Sequence, residues 1–214
     1  MAKIIVVRHA ESVANAEGIY QGQTFDTGLS PLGKKQARAL AVKLSLFRIN
    51  RVFASPLKRT KETAEVIAKK LGKKVETSAE IIETNHGVWE GKDKKWIKQN
   101  YSDLMNLWMS SPSQTTFPEG EKFNETVDRV KKFFFSHSWK GVSLVVTHDN
   151  VIRILICLAC GIPIDAMWNA YLEPAAISIF RVTGINGTKK FEIIVLNETS
   201  HLKNLHANIT KHAL

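Results

Sequence analysis

The chain has 214 residues, 44% hydrophobic and 23% charged, enough for a full core and far from the bias of a disordered or fibrous protein. Its formal charge of +10 attracts anions over some distance, so phosphorylated small molecules, nucleic acid and a membrane surface all fit as partners. No run approaches the roughly 18 uncharged apolar residues of a membrane-spanning helix, and the opening MAKIIVVRHAES is too short and too soon charged for a signal peptide.

In chain order, KIIVVR (3–8) is a β-branched run suited to a strand buried on both faces, and it ends at Arg8-His9. SPLGKKQARALAVKLSLF predicts a helix with Ser30 as N-cap and Pro31 at the first helical position. RVFAS (51–55) is a second strand, followed by a helix from Pro56 that Gly72 stops. Between Ile82 and Lys140 the pattern is helical but interrupted, and SSPSQTTFPEG (110–120) reads as a rim or lid. VSLVVTH (142–148) is a third buried strand, running straight into the apolar helix NVIRILICLACG. AAISIFRV and KFEIIVL complete the strands, joined by the turn TGINGT.

This alternation predicts an α/β fold with a mostly parallel mixed sheet, helices on both faces and a small helical cap. The expected organisation is one domain over 1–214, with the cap at about 84–140 and a C-terminal tail from about 198. Cys157 and Cys160 form a CxxC spacing at the end of an apolar helix, with no second pair. They read as core residues of a protein in a reducing cytoplasm, not as a redox or metal pair.

Parallel neighbours carry their carboxyl ends to one sheet edge, where ligands collect. Arg8-His9 and His148 stand at the ends of the first and third strands, and Arg59 lies in the helix that follows the second. Glu83 closes the apolar stretch AEIIE. Two arginines and two histidines suit a tetrahedral phosphoryl group, because the guanidinium fork matches its oxygens. Unit charges about 4 Å apart interact by on the order of 4 kcal/mol at an effective dielectric of 20, enough to keep an imidazole among cations neutral near pH 7. Neutral imidazole can attack phosphorus, and a carboxyl group can protonate the departing alkoxide.

Taken together and in this order, VVRHAES, ASPLKRTKETA, EIIETNHGVWEG and LVVTHDNVIR resemble the histidine phosphatase superfamily, the phosphoglycerate-mutase-like group, from Lys3 to about Val182. The resemblance implies phosphorylation of His9, a phosphoryl grip by Arg8, Arg59 and His148, proton donation by Glu83, and no metal or other cofactor. Asn15 and Gln21 match positions near the substrate. Two departures stand out: Ala10 replaces the usual glycine after the nucleophile, and Asp149-Asn150 replaces the usual Gly-Gly after the second histidine. Asp149 is expected to serve as a helix N-cap turned away from the phosphate.

ETNHGVWEG followed by FPEGEKFNETVDRV resembles the phosphatase branch, with a 2,3-bisphosphoglycerate-dependent phosphoglycerate mutase as the alternative. His86 and the tail NETSHLKNLHANITKHAL resemble metal-independent phosphoserine phosphatases, which points His86 and His201 at a substrate carboxylate. Competing with this, His86 caps a turn and the tail is a loose surface segment. Trp108, Met105 and Phe117 either line the pocket mouth or form the cap's own core, and Trp89 packs. The expected partner is a small phosphorylated metabolite, with neither nucleic acid nor membrane, and a homodimer is the assembly considered. A basic binding module without activity is the rival class, although its 8% aromatic residues do not interleave with the basic ones as stacking platforms would.

Overall fold

Strand positions alternate between two apolar sets in this molecule, and each set is covered by its own helices. The computed structural model describes residues 2–185 and 188–208. Strands β1 (Ala2–Arg8), β2 (Arg51–Ala54), β3 (Val75–Thr77), β4 (Val142–Thr147), β5 (Ile177–Ile185) and β6 (Thr188–Glu198) form one sheet in the order β3-β2-β4-β1-β5-β6. Three pairings are parallel, β2 with β3, β2 with β4 and β1 with β4, whereas β5 is antiparallel to both β1 and β6. The edge strand β3 is only three residues long and half exposed, so it lacks the apolar run that announces the other parallel strands. Residues 186–187 of the TGINGT turn lie outside the described residues, and the strands on either side pair as a hairpin from Ile185 and Thr188.

The helices are α1 (Val13–Glu17), α2 (Pro31–Leu44), α3 (Lys58–Leu71), α4 (Lys94–Asn100), α5 (Ser102–Ser110), α6 (Phe123–Ser136) and α7 (Asp149–Cys160). On one face, Ile5, Val7, Val52 and Val146 pack with Leu40, Leu44, Ala64 and Ile67 of α2 and α3. On the other, Ile4, Val6, Phe53 and Val145 pack with Val130 and Phe133 of α6 and with Val151 and Leu155 of α7. Burial on both faces explains why β1 and β4 read as unbroken apolar runs.

Ser30 caps α2 as expected, accepting from the Gly33 N–H, and Pro31 opens the helix. α3 begins at Lys58, two residues after the predicted Pro56, and ends at Gly72 in the left-handed conformation at φ +63°. Gly33 matters for placement, since a Cβ there would fall 1.9 Å from Glu11 O. Its absence lets the first turn of α2 lie against the turn after His9.

The interrupted stretch holds α4, α5, α6 and short 3-10 turns. Trp108, Phe117 and Trp89 are buried there with Tyr20 and His86 in edge-to-face contacts, a packed aromatic core. The 110–120 loop is pinned where Ser113 bonds both Asp165 carboxylate oxygens, at 2.8 and 3.0 Å. Cys157 is buried, but Cys160 is exposed, because the last turn of α7 overruns the core; both thiols are free.

Candidate active site

At the carboxyl edge of the sheet, Arg8 pairs in register with Thr147, and Ala54 with Val146, which sets the ends of β1, β4 and β2 side by side. The His9 N–H donates to Thr147 O at 2.9 Å. Beneath it, the Ala175 N–H reaches the carbonyls of both Arg8 and His9 at 3.1 Å, from a backbone at φ +62°. That left-handed angle in a residue other than glycine holds a turn against the strand end. The His9 Nδ1–H donates to Ala10 O at 2.8 Å, so the ring proton sits on Nδ1 and the lone pair on Nε2.

The His9 and His148 rings stand edge to face, with centroids 5.3 Å apart. His148 Nε2 is 2.8 Å from Ser55 Oγ, the first residue beyond β2, and its Nδ1 is buried with no partner within the protein. Burial, and then the charges of Arg59, His9, Arg129 and Arg8, hold His148 well below the usual histidine range. Desolvation is the first cause, ahead of the surrounding cations.

Each arginine of this floor is already tied on one edge. Arg59, in the first turn of α3, donates Nη1–H to Asp26 at 2.8 Å and Nη2–H to Gly22 O at 2.9 Å. Arg8 donates Nη1–H to Leu172 O at 2.7 Å, and the same nitrogen is 3.2 Å from Asp149 Oδ1. In both, Nε is buried with no partner within the protein. Asp149 therefore departs from expectation. His148 occupies the N-cap, Asp149 is the first residue of α7, and its carboxylate bridges Arg8 and Arg153, the latter at 2.5 Å. A buried carboxylate seeks cations more strongly than helix N–H groups, and two guanidinium groups flank it.

Glu83 comes to the floor from the side. It follows a 3-10 turn, Ala79–Ile81, instead of a strand, and Thr147 Oγ1 secures that turn through Ile81 O at 2.8 Å. Burial pushes the Glu83 carboxyl up to about 7, against the Thr84 N–H at 2.9 Å and the charge of Arg59. Arg129 grips the carbonyls of Ile82 and Glu83 and pairs with Glu121 at 2.7 Å. Glu121 in turn accepts from Thr126 at 2.7 Å and the Asn85 N–H at 2.8 Å. Gln23 donates to Glu83 O at 2.8 Å. Its own loop is clamped by Glu90, which accepts from the N–H groups of Gln23, Thr24, Phe25 and His86. A Cβ on Gly22 would meet Glu90 Oε1 at 2.0 Å, so glycine is needed for this clamp to close.

The remaining predicted residues are nearby but engaged within the protein. Asn15 Oδ1 takes Ser12 N–H and O–H in a capping box, and Gln21 Nε2 donates to Ser12 Oγ at 2.7 Å. His86 is wholly buried, with Nδ1–H on Gln21 O at 2.9 Å and Nε2 facing Asn150 Nδ2 at 3.4 Å. Burial lowers its pKa to about 4, which makes it a neutral ring whose only proton is committed. It stands at the N-cap of the turn Gly87–Trp89, where its side chain makes no cap bond. His201 Nε2 bonds Ala175 O at 3.1 Å, placing it behind the Arg8-His9 turn. The tail is packed as far as described: Gln36 joins the Glu11 N–H to Leu205 O, and His206 meets Glu173 at 2.8 Å. Residues 209–214 of the tail lie outside the described residues.

Sequence reasoning missed Asp26, Glu90, Glu121 and Arg129. FDTG marks Asp26 as a turn residue, and FPEGEKFNETVDRV contains both Glu121 and Arg129, but no spacing rule ties any of them to a partner.

The family model of the histidine phosphatase superfamily (branch 1) matches residues 4–196. Phosphoserine phosphatase 1 of Hydrogenobacter thermophilus is 33% identical over 99% of each chain. Adenosylcobalamin/alpha-ribazole phosphatase of Escherichia coli is 28% identical over 78% of this chain and 83% of its own. Among solved structures, YhfR of Bacillus stearothermophilus superposes with a TM-score of 0.85 at 24% identity, covering 94% of this chain and 100% of that one.

Proposed function

The chain belongs to the histidine phosphatase superfamily (branch 1) and is a phosphatase, and we propose that it hydrolyses small phosphomonoesters, phosphoserine foremost, through a phosphohistidine on His9. One observation carries the assignment of His9: its Nδ1–H is on Ala10 O, which makes Nε2 the basic nitrogen of a ring that stands against His148, itself under the charges of Arg59 and Arg8. Nε2 attacks phosphorus, the N–P bond forms and the P–O ester bond breaks. The phosphoryl oxygens take the unpartnered Nε–H groups of Arg8 and Arg59. We assign Ser55 Oγ–H as the donor to Nε2 of His148, 2.8 Å away, which puts the proton of that ring on Nδ1, where it also serves the phosphoryl group.

Glu83, half protonated near pH 7, gives its proton to the departing alkoxide. As carboxylate it then takes one from the water that attacks the N–P bond, and orthophosphate leaves. His86 and His201 serve the substrate's carboxylate end indirectly in this reading. His86 holds Gln21 through its carbonyl, and His201 holds the turn at Ala175.

Phosphoserine is favoured by the 33% identical relative of that name, which the chain matches end to end. The two free thiols support a reducing cytoplasm. The test is to incubate the protein with phosphoserine, 3-phosphoglycerate and sugar phosphates, then measure turnover and acid-labile phosphate on His9. Labelling absent on His9 would remove the mechanism. Phosphoserine turning over no faster than the others would remove the substrate but leave the mechanism standing.

A further inference from the structure

Both floor arginines carry a carboxylate, but the two carboxylates are held differently. Asp26 is anchored to the Lys58 N–H at 2.6 Å and retains 14% side-chain exposure. Asp149 is 3% exposed and is shared between Arg8 and Arg153. Arg153 is itself fixed: its Nη1 bonds Met167 O and Ala170 O, and its guanidinium lies 5.0 Å over the Trp168 ring. Leu172 O, at the end of the same segment, takes Nη1–H of Arg8. The result is a fixed negative charge immediately behind a phosphate-gripping arginine, tethered from the far side by a second cation.

We infer that Asp149 is a positioning residue that sets both the direction and the effective charge of Arg8. It holds its charge against Nη1, whose N–H goes to Leu172 O, so that the Nε edge faces the phosphoryl group, and it caps how tightly the site holds orthophosphate. The last effect follows from charge. A phosphate dianion on Arg8 is repelled by the carboxylate on the other edge of the same guanidinium. Product held too tightly slows turnover without helping the chemical step. Arg153 limits the effect by drawing Asp149 away from Arg8. The inference rests on the phosphatase reading only in taking orthophosphate as the product.

Two substitutions in the full-length protein test it, with opposite signs. Asp149→Asn keeps the shape and removes the charge, so orthophosphate should bind about tenfold tighter by calorimetric titration. With phosphoserine its KM and kcat should fall together, each several-fold. Arg153→Gln frees Asp149 to pair fully with Arg8, and orthophosphate should bind several-fold more weakly. A merely structural Asp149 would loosen binding in both variants or change neither, and either result overturns the inference. So does any change other than tightening in Asp149→Asn. If that variant does not fold, Asp149→Ser takes its place, with any change other than tighter orthophosphate binding counting against. A wild-type protein that turns over no phosphomonoester would defeat the hydrolytic reading, while the titration would still judge Asp149.

Discussion

The floor of the site and its acid-bearing wall are built in contrasting ways. The floor takes Arg8, His9 and His148 from two adjacent strand ends and Arg59 from the helix after a third, and the sheet register aligns them. The wall has no such frame. Glu83 sits on irregular chain, held by Arg129 through two carbonyls, by Glu121 behind Arg129, and by a loop that Glu90 clamps. Strand ends are fixed by the whole sheet, so the backbone of the floor should keep its place when any one polar partner is lost. A hydrogen-bonded wall depends on every member, because a buried charge left unpaired costs more than its bond contributed.

Chemistry and support should therefore separate on substitution. The largest effect falls on the floor: His9→Ala should cut turnover by about 10⁴-fold or more with little change in melting temperature. Activity surviving at a few per cent would mean another nucleophile. Next comes the tip of the wall. Glu83→Gln should slow alkyl phosphates by about 10²–10⁴-fold and p-nitrophenyl phosphate by less than about tenfold, since p-nitrophenolate departs without a proton. Wild-type turnover of alkyl phosphates should decline as pH rises through about 7, where the acid form is lost, and Glu83→Gln should flatten that limb. Equal losses on both substrates would remove Glu83 as the acid.

Support residues come third. Arg129→Met should lower kcat for alkyl phosphates about 10–100-fold and stability by about 2–3 kcal/mol, because Glu121 loses its cation. A floor built as described should leave phosphate affinity in that variant nearly unchanged. Glu90→Gln should cost about 1–2 kcal/mol and act on KM through the 23–25 loop.

The last effect is on acid stability. His86 and His148 are buried neutral with lowered pKa values, His86 at about 4. The unfolded chain takes up protons below about 6.5 that the folded rings refuse, so stability is present above that pH and lost as pH falls towards 4. His86→Gln should reduce this slope in thermal melts at pH 4.5–6.5, and an unchanged slope would mean that His86 is not buried neutral.

Amino-acid order alone determined the apolar strands, the capped start of α2, the Gly72 stop, and the polar residues Arg8, His9 and His148 at two strand ends. All of these are local: a strand end or helix cap is written in residues within a few positions of each other. β3 escaped because three half-exposed residues on an edge carry no apolar run. Tertiary structure alone decided that Asp149 turns to Arg8 instead of capping α7, that the His86 Nδ1–H donates to Gln21 O, and that Arg129 braces the Glu83 segment. The physical reason is shared by all three. A polar side chain removed from water takes the best partner that folding brings within about 3 Å, and that partner's distance along the chain leaves no trace in local composition.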